Sequence, residues 1–211
     1  MARRDHSLDG RITAAAREAF LQSGYAGASL RKIAERAGVT VGAIQTRYRS
    51  KDELFMSLLQ PFLEEIGALF QSTREDYDAG AEAGLLPGLE ASMRQESGAI
   101  LRLIFDRYED AVLLLCRSGG SSLEHAFDGI VQRKIRESAA FFRREGVSGI
   151  DETLLGLLIS AQFDSYRRIV LECPRRETAE RYMASLMAYH LGGWTAFFAG
   201  ENGLQEGAHE V

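Results

Sequence analysis

Between Ser29 and Lys51 the sequence gathers residue types that can bind nucleic acid. The Gln45 amide can pair bidentately with adenine, and the Arg47 guanidinium can read guanine or clamp a phosphate. Ser29 and Thr40 carry hydroxyls suited to phosphate oxygens, and Lys51 offers phosphate a point charge. Arg31, Lys32, Arg36 and Arg49 complete a basic surround, against the single acid Glu35. The formal net charge of −5 hides this asymmetry. Residues 1–52 hold ten Arg or Lys against five Asp or Glu, whereas the remainder carries an acidic surplus of ten. A basic head on an acidic body is either a solvated charged face or an electrostatic footprint for DNA phosphate, and local structure must decide between them.

The elements that would position these groups are readable from apolar spacing. A first helix carries Ile12, Ala15, Ala16, Ala19 and Phe20 on one face, capped by Asp9 or Ser7 and stopped by Gly24. A second, short helix starts after Ser29 as N-cap and buries Leu30, Ile33, Ala34 and Ala37. Gly38 supplies the positive φ of a tight turn. A third helix runs from about Thr40, its N-cap, to Tyr48, with its amide end facing outward. Val39 and Ile44 wedge this helix onto the others, Ala34 allows close approach, and Gly42 lets the helix lie against a sugar-phosphate edge. The result is a helix-turn-helix. A hairpin of helices that merely packs has the same outline, but the basic surround and the short polar third helix favour DNA. On this reading Ser29, Arg31, Lys32, Thr40, Val41, Gly42, Gln45, Thr46, Arg47, Tyr48 and Lys51 form the interface.

These residues carry a resemblance. Gly24-Tyr25, the run from Ser29 to Gly42, and Tyr48-Arg49-Ser50-Lys51-Asp52-Glu53-Leu54-Phe55 are similar to the DNA-binding segment of the TetR family of bacterial transcriptional regulators. The match covers about the first quarter of the chain. It departs at Gln45, Thr46 and Arg47, where the family usually carries aromatic or His residues before its final aromatic. The resemblance implies a repressor that blocks a promoter. It also implies a helical body that binds an effector, with movement of the fourth helix changing the separation of two recognition helices.

Beyond this segment the pattern stays helical and no strand signal occurs, so the fold is expected to be all-α with about nine helices. Ser50 and Glu53 form a capping box opening a fourth helix, which Pro61 should kink or break. Residues 78–88 read as a loop. Periodicity resumes from about Leu89 to Arg117, then from a second box at Ser121 and Glu124 to about Arg144. Two long helices near 151–172 and 174–200 follow, separated by Cys173-Pro174, with a polar tail behind them. The expected division is a DNA-binding domain over 1–50 and a ligand-binding and dimerisation domain over 51–211.

A single helix-turn-helix contacts too little DNA for a specific site, so a homodimer on a pseudo-palindromic operator is expected. In the last helix Ala184, Ala188, Gly192 and Ala196 recur every fourth residue, and the helix before it carries Gly156 and Ser160. Small side chains let backbones approach closely, and these two helices are expected to form a four-helix dimer interface. The alternative is a tight helix pair inside one subunit. The resemblance places a small-molecule effector among the central helices, with Arg102, Phe105, Asp106, Tyr108, His125, Gln162 and Tyr166 as candidate lining groups. Each is equally readable as core or surface.

Composition excludes several classes. With 45% hydrophobic residues, 26% charged and two cysteines, the chain is neither disordered nor a disulfide scaffold. Cys116 and Cys173 read as reduced packing residues. The start MARRDHSLDG has no apolar run behind its arginines, and Leu154–Phe163 is too short to span a bilayer, so a cytoplasmic protein without membrane contact is expected. No paired Glu-x-x-His, zinc spacing, phosphate loop or nucleophile motif points to an enzyme, and no cofactor or metal is expected. A regulator controlled by a protein partner, or one that activates, remains the alternative; a helical enzyme or metalloprotein is more remote.

Overall fold

The structure, a computed structural model, describes residues 6–80, 85–147 and 149–206. Among them are nine helices and no strand, as expected. The order is α1 (His6–Gly27), α2 (Leu30–Ala37), α3 (Val41–Gln45), α4 (Lys51–Gly80), α5 (Leu85–Asp106), α6 (Tyr108–Cys116), α7 (Ala126–Arg144), α8 (Glu152–Glu172) and α9 (Arg176–Glu206). Two compact units form. One holds Met1–Glu65 with Ile104–Gly129, the other Ile66–Leu103 with Ile130–Val211. The chain thus passes between units more than once, and α4, α5 and α7 each contribute residues to both.

The first unit buries the residues that the 3.6-residue spacing selects. Ile12, Ala16, Phe20, Ile33, Ile44, Leu54 and Phe55 are fully inaccessible. Phe20 meets Phe55 edge-on at 4.9 Å between centroids and stacks on Tyr25 at 5.9 Å. Each such ring or branched chain contributes roughly 1.5–3 kcal/mol of burial. Regular α1 geometry ends at Gly24, whose φ of 68° and ψ of 170° break the helix and redirect Tyr25. Asp9 lies inside the first turn of α1 instead of capping it, because the helix begins at His6. The side chain of Ser7 lies outside the described residues.

Four boundaries differ from the sequence reading. α4 runs unbroken through Pro61. Pro61 and Ser57 are exposed, so water can serve the carbonyl that loses its amide partner. The stretch from 89 to 117 is not one helix. Arg107 leaves helical geometry at φ −126° and ψ 44°, and α6 starts anew. The break seats buried Asp110 between two guanidinium groups: Arg107 Nε donates to it at 2.8 Å, and Arg17 of α1 pairs with it from the other side. Ser121 and Glu124 close a turn and do not open α7. Ser121 Oγ donates to the Ser118 carbonyl at 2.6 Å, Glu124 accepts the Gly120 amide at 3.0 Å, and the helix begins at Ala126. Finally, α4 and α5 extend into the expected loop as far as Gly80 and from Leu85; residues 81–84 and the tail 207–211 lie outside the described residues.

The second unit is built on α5, α7, α8 and α9. Leu155, Ile159, Phe163, Tyr166 and Val170 of α8 are buried, as are Met183, Met187, Leu191, Trp194 and Phe198 of α9. Asp151 caps α8 by accepting the Leu154 amide at 2.8 Å. Cys173 is buried and Cys116 half-buried. No helix among the described residues is long and apolar enough to cross a membrane.

Candidate nucleic-acid interface

The turn between α2 and α3 forms as its residue types require. Ser29 caps α2 through the Lys32 amide at 3.3 Å, and Thr40 caps α3 through the Ala43 amide at 3.1 Å. Gly38 sits at φ 63° and ψ 42°, where a Cβ would strain the backbone, and its amide bonds back to α2. Val39 follows by donating to the Ala34 carbonyl at 2.9 Å. α3 spans five residues, shorter than expected, because Thr46 and Arg47 close it with a turn. Ile44 anchors it to the core, which leaves Gly42, Gln45 and Thr46 exposed and Val41 half-buried.

The exposed groups divide into those the fold uses and those it does not. Gln45, Arg31, Lys32 and Arg49 are exposed, and none of their side chains bonds to another described residue. Thr46 turns back, its hydroxyl donating to the Gly42 carbonyl at 2.8 Å. Arg36 pairs with Glu18 at 3.1 Å and with Gln22 at 3.3 Å. Arg47, expected to face a base or phosphate, instead folds onto α1: Nε pairs with Asp9 and Nη1 reaches the Ala43 carbonyl at 3.2 Å. Lys51 is likewise turned inward. Its ammonium donates to the Tyr25 carbonyl at 2.7 Å and the Ala28 carbonyl at 3.1 Å, and lies 4.1 Å from the Tyr25 ring centroid. The Tyr25 carbonyl also accepts the Ala28 amide at 3.3 Å, so Lys51 adds a second donor there and serves the Ala28 carbonyl just past the end of α1. Tyr48 is half-buried.

Tyr25 is the residue that sequence reasoning passed over. Its amide donates to the Arg117 carbonyl at 2.8 Å, its carbonyl accepts Lys51, and its ring packs on Phe20 and Phe55. Its hydroxyl bonds Asp52; burial, and then this carboxylate, push the phenol above its ordinary pKa. Asp52 in turn accepts the Ser122 amide at 2.9 Å, a bond that holds its carboxyl below the usual range. The turn after α6 is thereby tied to the helix-turn-helix. An aromatic directly after a helix-ending glycine was the only signal available for this.

The second unit encloses a cavity of about 460 Å³. Its walls include Phe70, Phe141, Phe142, Phe163 and Trp194, and Glu96, Lys134 and Gln162 also line it. Of the seven effector candidates, Gln162 is the one that lines it. Tyr166 is buried beside it, its hydroxyl bonded to Ser97 and its pKa pushed up chiefly by burial. Arg102 is exposed. Phe105, Asp106, Tyr108 and His125 belong to the first unit, where Phe105 stacks on Tyr108 at 5.5 Å and exposed His125 faces Asp128 at 3.2 Å. Glu96 and Lys134, which do line the cavity, carry no sequence signal beyond single charges in apolar runs.

Ala184, Ala188, Gly192 and Ala196 are all exposed on α9, as is Ser160 on α8. Gly156 instead turns inward, with Ile135 of α7 3.9 Å from where its Cβ would stand. The large apolar side chains exposed among the described residues are Leu157, Leu158 and Leu171 on α8 and Tyr182 and Tyr189 on α9, with Tyr189 76% exposed. No cluster of described residues could hold a metal ion.

Residues 12–58 match the family model described as bacterial regulatory proteins, tetR family. Solved structures share the fold. A TetR-like transcriptional regulator from a Rhodococcus species is 17% identical, with a TM-score of 0.58 over 91% of this chain and 100% of that one. The regulator FadR from Bacillus subtilis, in complex with stearoyl-CoA, is 18% identical, with a TM-score of 0.59 over 88% and 98%. NalD from Pseudomonas aeruginosa, the secondary repressor of the MexAB-OprM multidrug efflux pump, is 21% identical, with a TM-score of 0.54 over 87% and 96%.

Proposed function

We propose, from the match of residues 12–58 to the tetR family of bacterial regulatory proteins, that the chain is a cytoplasmic homodimeric repressor, without catalytic activity, released from a pseudo-palindromic operator by a small-molecule effector. The observation that carries this reading is the set of groups on the helix-turn-helix that the fold leaves unused. Gln45 has an unengaged amide on an exposed helix end, and Arg31, Lys32 and Arg49 of the same unit are likewise exposed. Gln45 reads a base, and the three cations hold phosphates. Arg47 fixes the exit of α3 through Asp9, and Lys51 holds the end of α1 in register.

Dimerisation through α8 and α9 is supported by their exposed apolar side chains, beside a stripe of exposed small residues on α9. Effector control is supported by the aromatic cavity, and by neighbours of the same fold that include a repressor and a protein solved with stearoyl-CoA. The cavity is connected covalently to the DNA-binding unit. α5 lines it at Leu89, Met93 and Glu96, then passes through the Arg107 break into α6, where Asp110 is held by Arg17 of α1. A ligand that shifts α5 therefore acts on α1, and half-sites at fixed helical phase turn a small shift into lost affinity.

The test is titration of the purified protein onto labelled DNA flanking its own gene, with footprinting. Two protected half-sites about one helical turn apart, released on adding an extract of small molecules, are expected. Equal binding to all fragments overturns the operator reading. Specific binding that no extract releases overturns effector control.

A further inference from the structure

The cavity wall contains one group that an apolar lining does not need. Glu96 of α5 is 7% exposed. Its Oε2 accepts Lys134 Nζ at 2.6 Å, while its Oε1 is buried with no hydrogen-bond partner. Among the described residues it is the one buried side-chain oxygen or nitrogen in that condition. Native folds rarely leave such an acceptor unserved, because its desolvation is uncompensated. Tyr166, whose side chain is hydrogen-bonded with Ser97, does not reach Oε1, and no other described residue donates to it.

Resting on the effector reading above, we propose that the cavity takes a ligand with an apolar body and one neutral O–H or N–H donor, which bonds Glu96 Oε1. The body is set by the rings of Phe70, Phe141, Phe142, Phe163 and Trp194. The neutrality of the polar group follows from charge. The Lys134 ammonium already balances the carboxylate, so a cationic ligand leaves an excess buried charge. An anionic group at this point sets oxygen against oxygen. An ether or ester oxygen meets an acceptor and leaves Oε1 as it is. Recognition is thus by hydrogen-bond polarity: this oxygen selects a hydroxyl or amide N–H and rejects its methylated or ionised analogue.

Trp194 lines the cavity and is the sole tryptophan of the chain, so its fluorescence reports occupancy in the full-length protein. Two matched probe series serve: 4-phenylphenol, 4-methoxybiphenyl and biphenyl-4-carboxylate for a flat body, and 1-decanol, decyl methyl ether and decanoate for a chain. In at least one series the hydroxyl member should bind about tenfold more tightly than the ether, with the carboxylate weakest. Glu96→Met should reduce the hydroxyl advantage to less than about twofold. Glu96→Gln, a milder change should the first fail to fold, should make the carboxylate probe bind several-fold more tightly than it binds the wild type, since the amide can donate where the carboxylate repelled. If probes saturate the cavity but hydroxyl and ether bind alike, or the preference survives both variants, water serves Oε1. The donor proposal then falls while the effector reading stands. If no probe of either series alters Trp194 or releases DNA, both fall.

Discussion

Gly42→Ala separates what the fold needs at the third helix from what DNA needs there. Gly38 has a left-handed backbone and requires glycine; Gly42 does not share that conformation. Gly42 is exposed, and a Cβ built on it meets only its own neighbour Thr40, at 3.8 Å from Oγ1, an ordinary contact. Inside a helix, replacing glycine by alanine stabilises by about 0.5–1 kcal/mol. For a chain of this size that raises Tm by roughly 2–3 °C. On the operator the sign reverses. On the proposed interface, glycine at this point admits the sugar-phosphate edge, and a methyl group would hold it off in both half-sites. At about 1 kcal/mol per half-site the loss is about 2 kcal/mol, or roughly thirtyfold in Kd. Thermal unfolding by circular dichroism and fluorescence anisotropy on the operator fragment, at one salt concentration, read the two effects. A raised Tm with Kd unchanged within twofold would mean that this turn of α3 faces away from DNA. A lowered Tm would mean that the space around Gly42 is not open.

Gln45→Ala should weaken operator binding by roughly 1–3 kcal/mol and relax one base position, seen by competition with single-base operator variants; equal loss on random DNA would show that Gln45 does not read sequence. Lys51→Met should cost about 1 kcal/mol of stability in urea unfolding, because the Ala28 carbonyl loses its ammonium donor and the Tyr25 carbonyl keeps only the Ala28 amide; unchanged stability with a salt slope lower by about one would return Lys51 to a phosphate. Gly192→Leu meets nothing in its own chain, so it should leave helicity intact while shifting sedimentation equilibrium to monomer; an unaltered dimer would remove α9 from the interface. Asp52→Asn tests linkage. Because the native carboxyl is held low by the Ser122 amide, its contribution is present above the unfolded value near 3.8 and is lost as pH falls through the folded one. The stability gap to Asp52→Asn, about 1 kcal/mol at pH 7, should therefore close below pH 4; a constant gap would dissociate it from ionisation.

The helix-turn-helix was legible because its determinants are local. Caps at Ser29 and Thr40, the left-handed Gly38 and the spacing that buries Phe20, Ile33 and Ile44 all act within a few residues. Groups whose partners lie far along the chain were not legible. Arg47 and Asp9 are 38 positions apart, Lys51 and Tyr25 are 26 apart, and Lys134 and Glu96 are 38 apart. A cation read from its neighbours alone looks available for phosphate until its distant partner is known. The helix break at Arg107 was hidden for the same reason. Apolar periodicity continues across it, and only the approach of Arg17, 93 positions before Asp110, gives the chain cause to leave the helix there. Four of the seven effector candidates, Phe105, Asp106, Tyr108 and His125, lie in the first unit and not at the cavity, since polar residues in apolar runs do not reveal which unit they join.

The groups that the fold leaves unused are not scattered. Gly24 and Gly38 are spent on backbone that other residues adopt with strain, and Gly156 on packing against Ile135, whereas Gly42 and Gly192 answer to nothing within the chain. Arg36, Arg47 and Lys51 are engaged, whereas Arg31, Lys32, Arg49 and Gln45 are not. Among the described residues, buried polar side chains find partners except at Glu96 Oε1, and large apolar side chains are covered except along α8 and α9. Three of the places where such groups occur matter for function: the surround of α3, the exposed face of α8 and α9, and the wall of the cavity. Folding stability alone selects against most of them, since exposed apolar rings, orphaned acceptors and helical glycines each weaken the isolated chain. A duplex, a second subunit and a small ligand are the three occupants that would turn those costs into contacts. If the proposed effector occupies the cavity, α5 and α7 are the segments through which it would act, because each supplies residues both to the cavity wall and to the compact unit that holds α3.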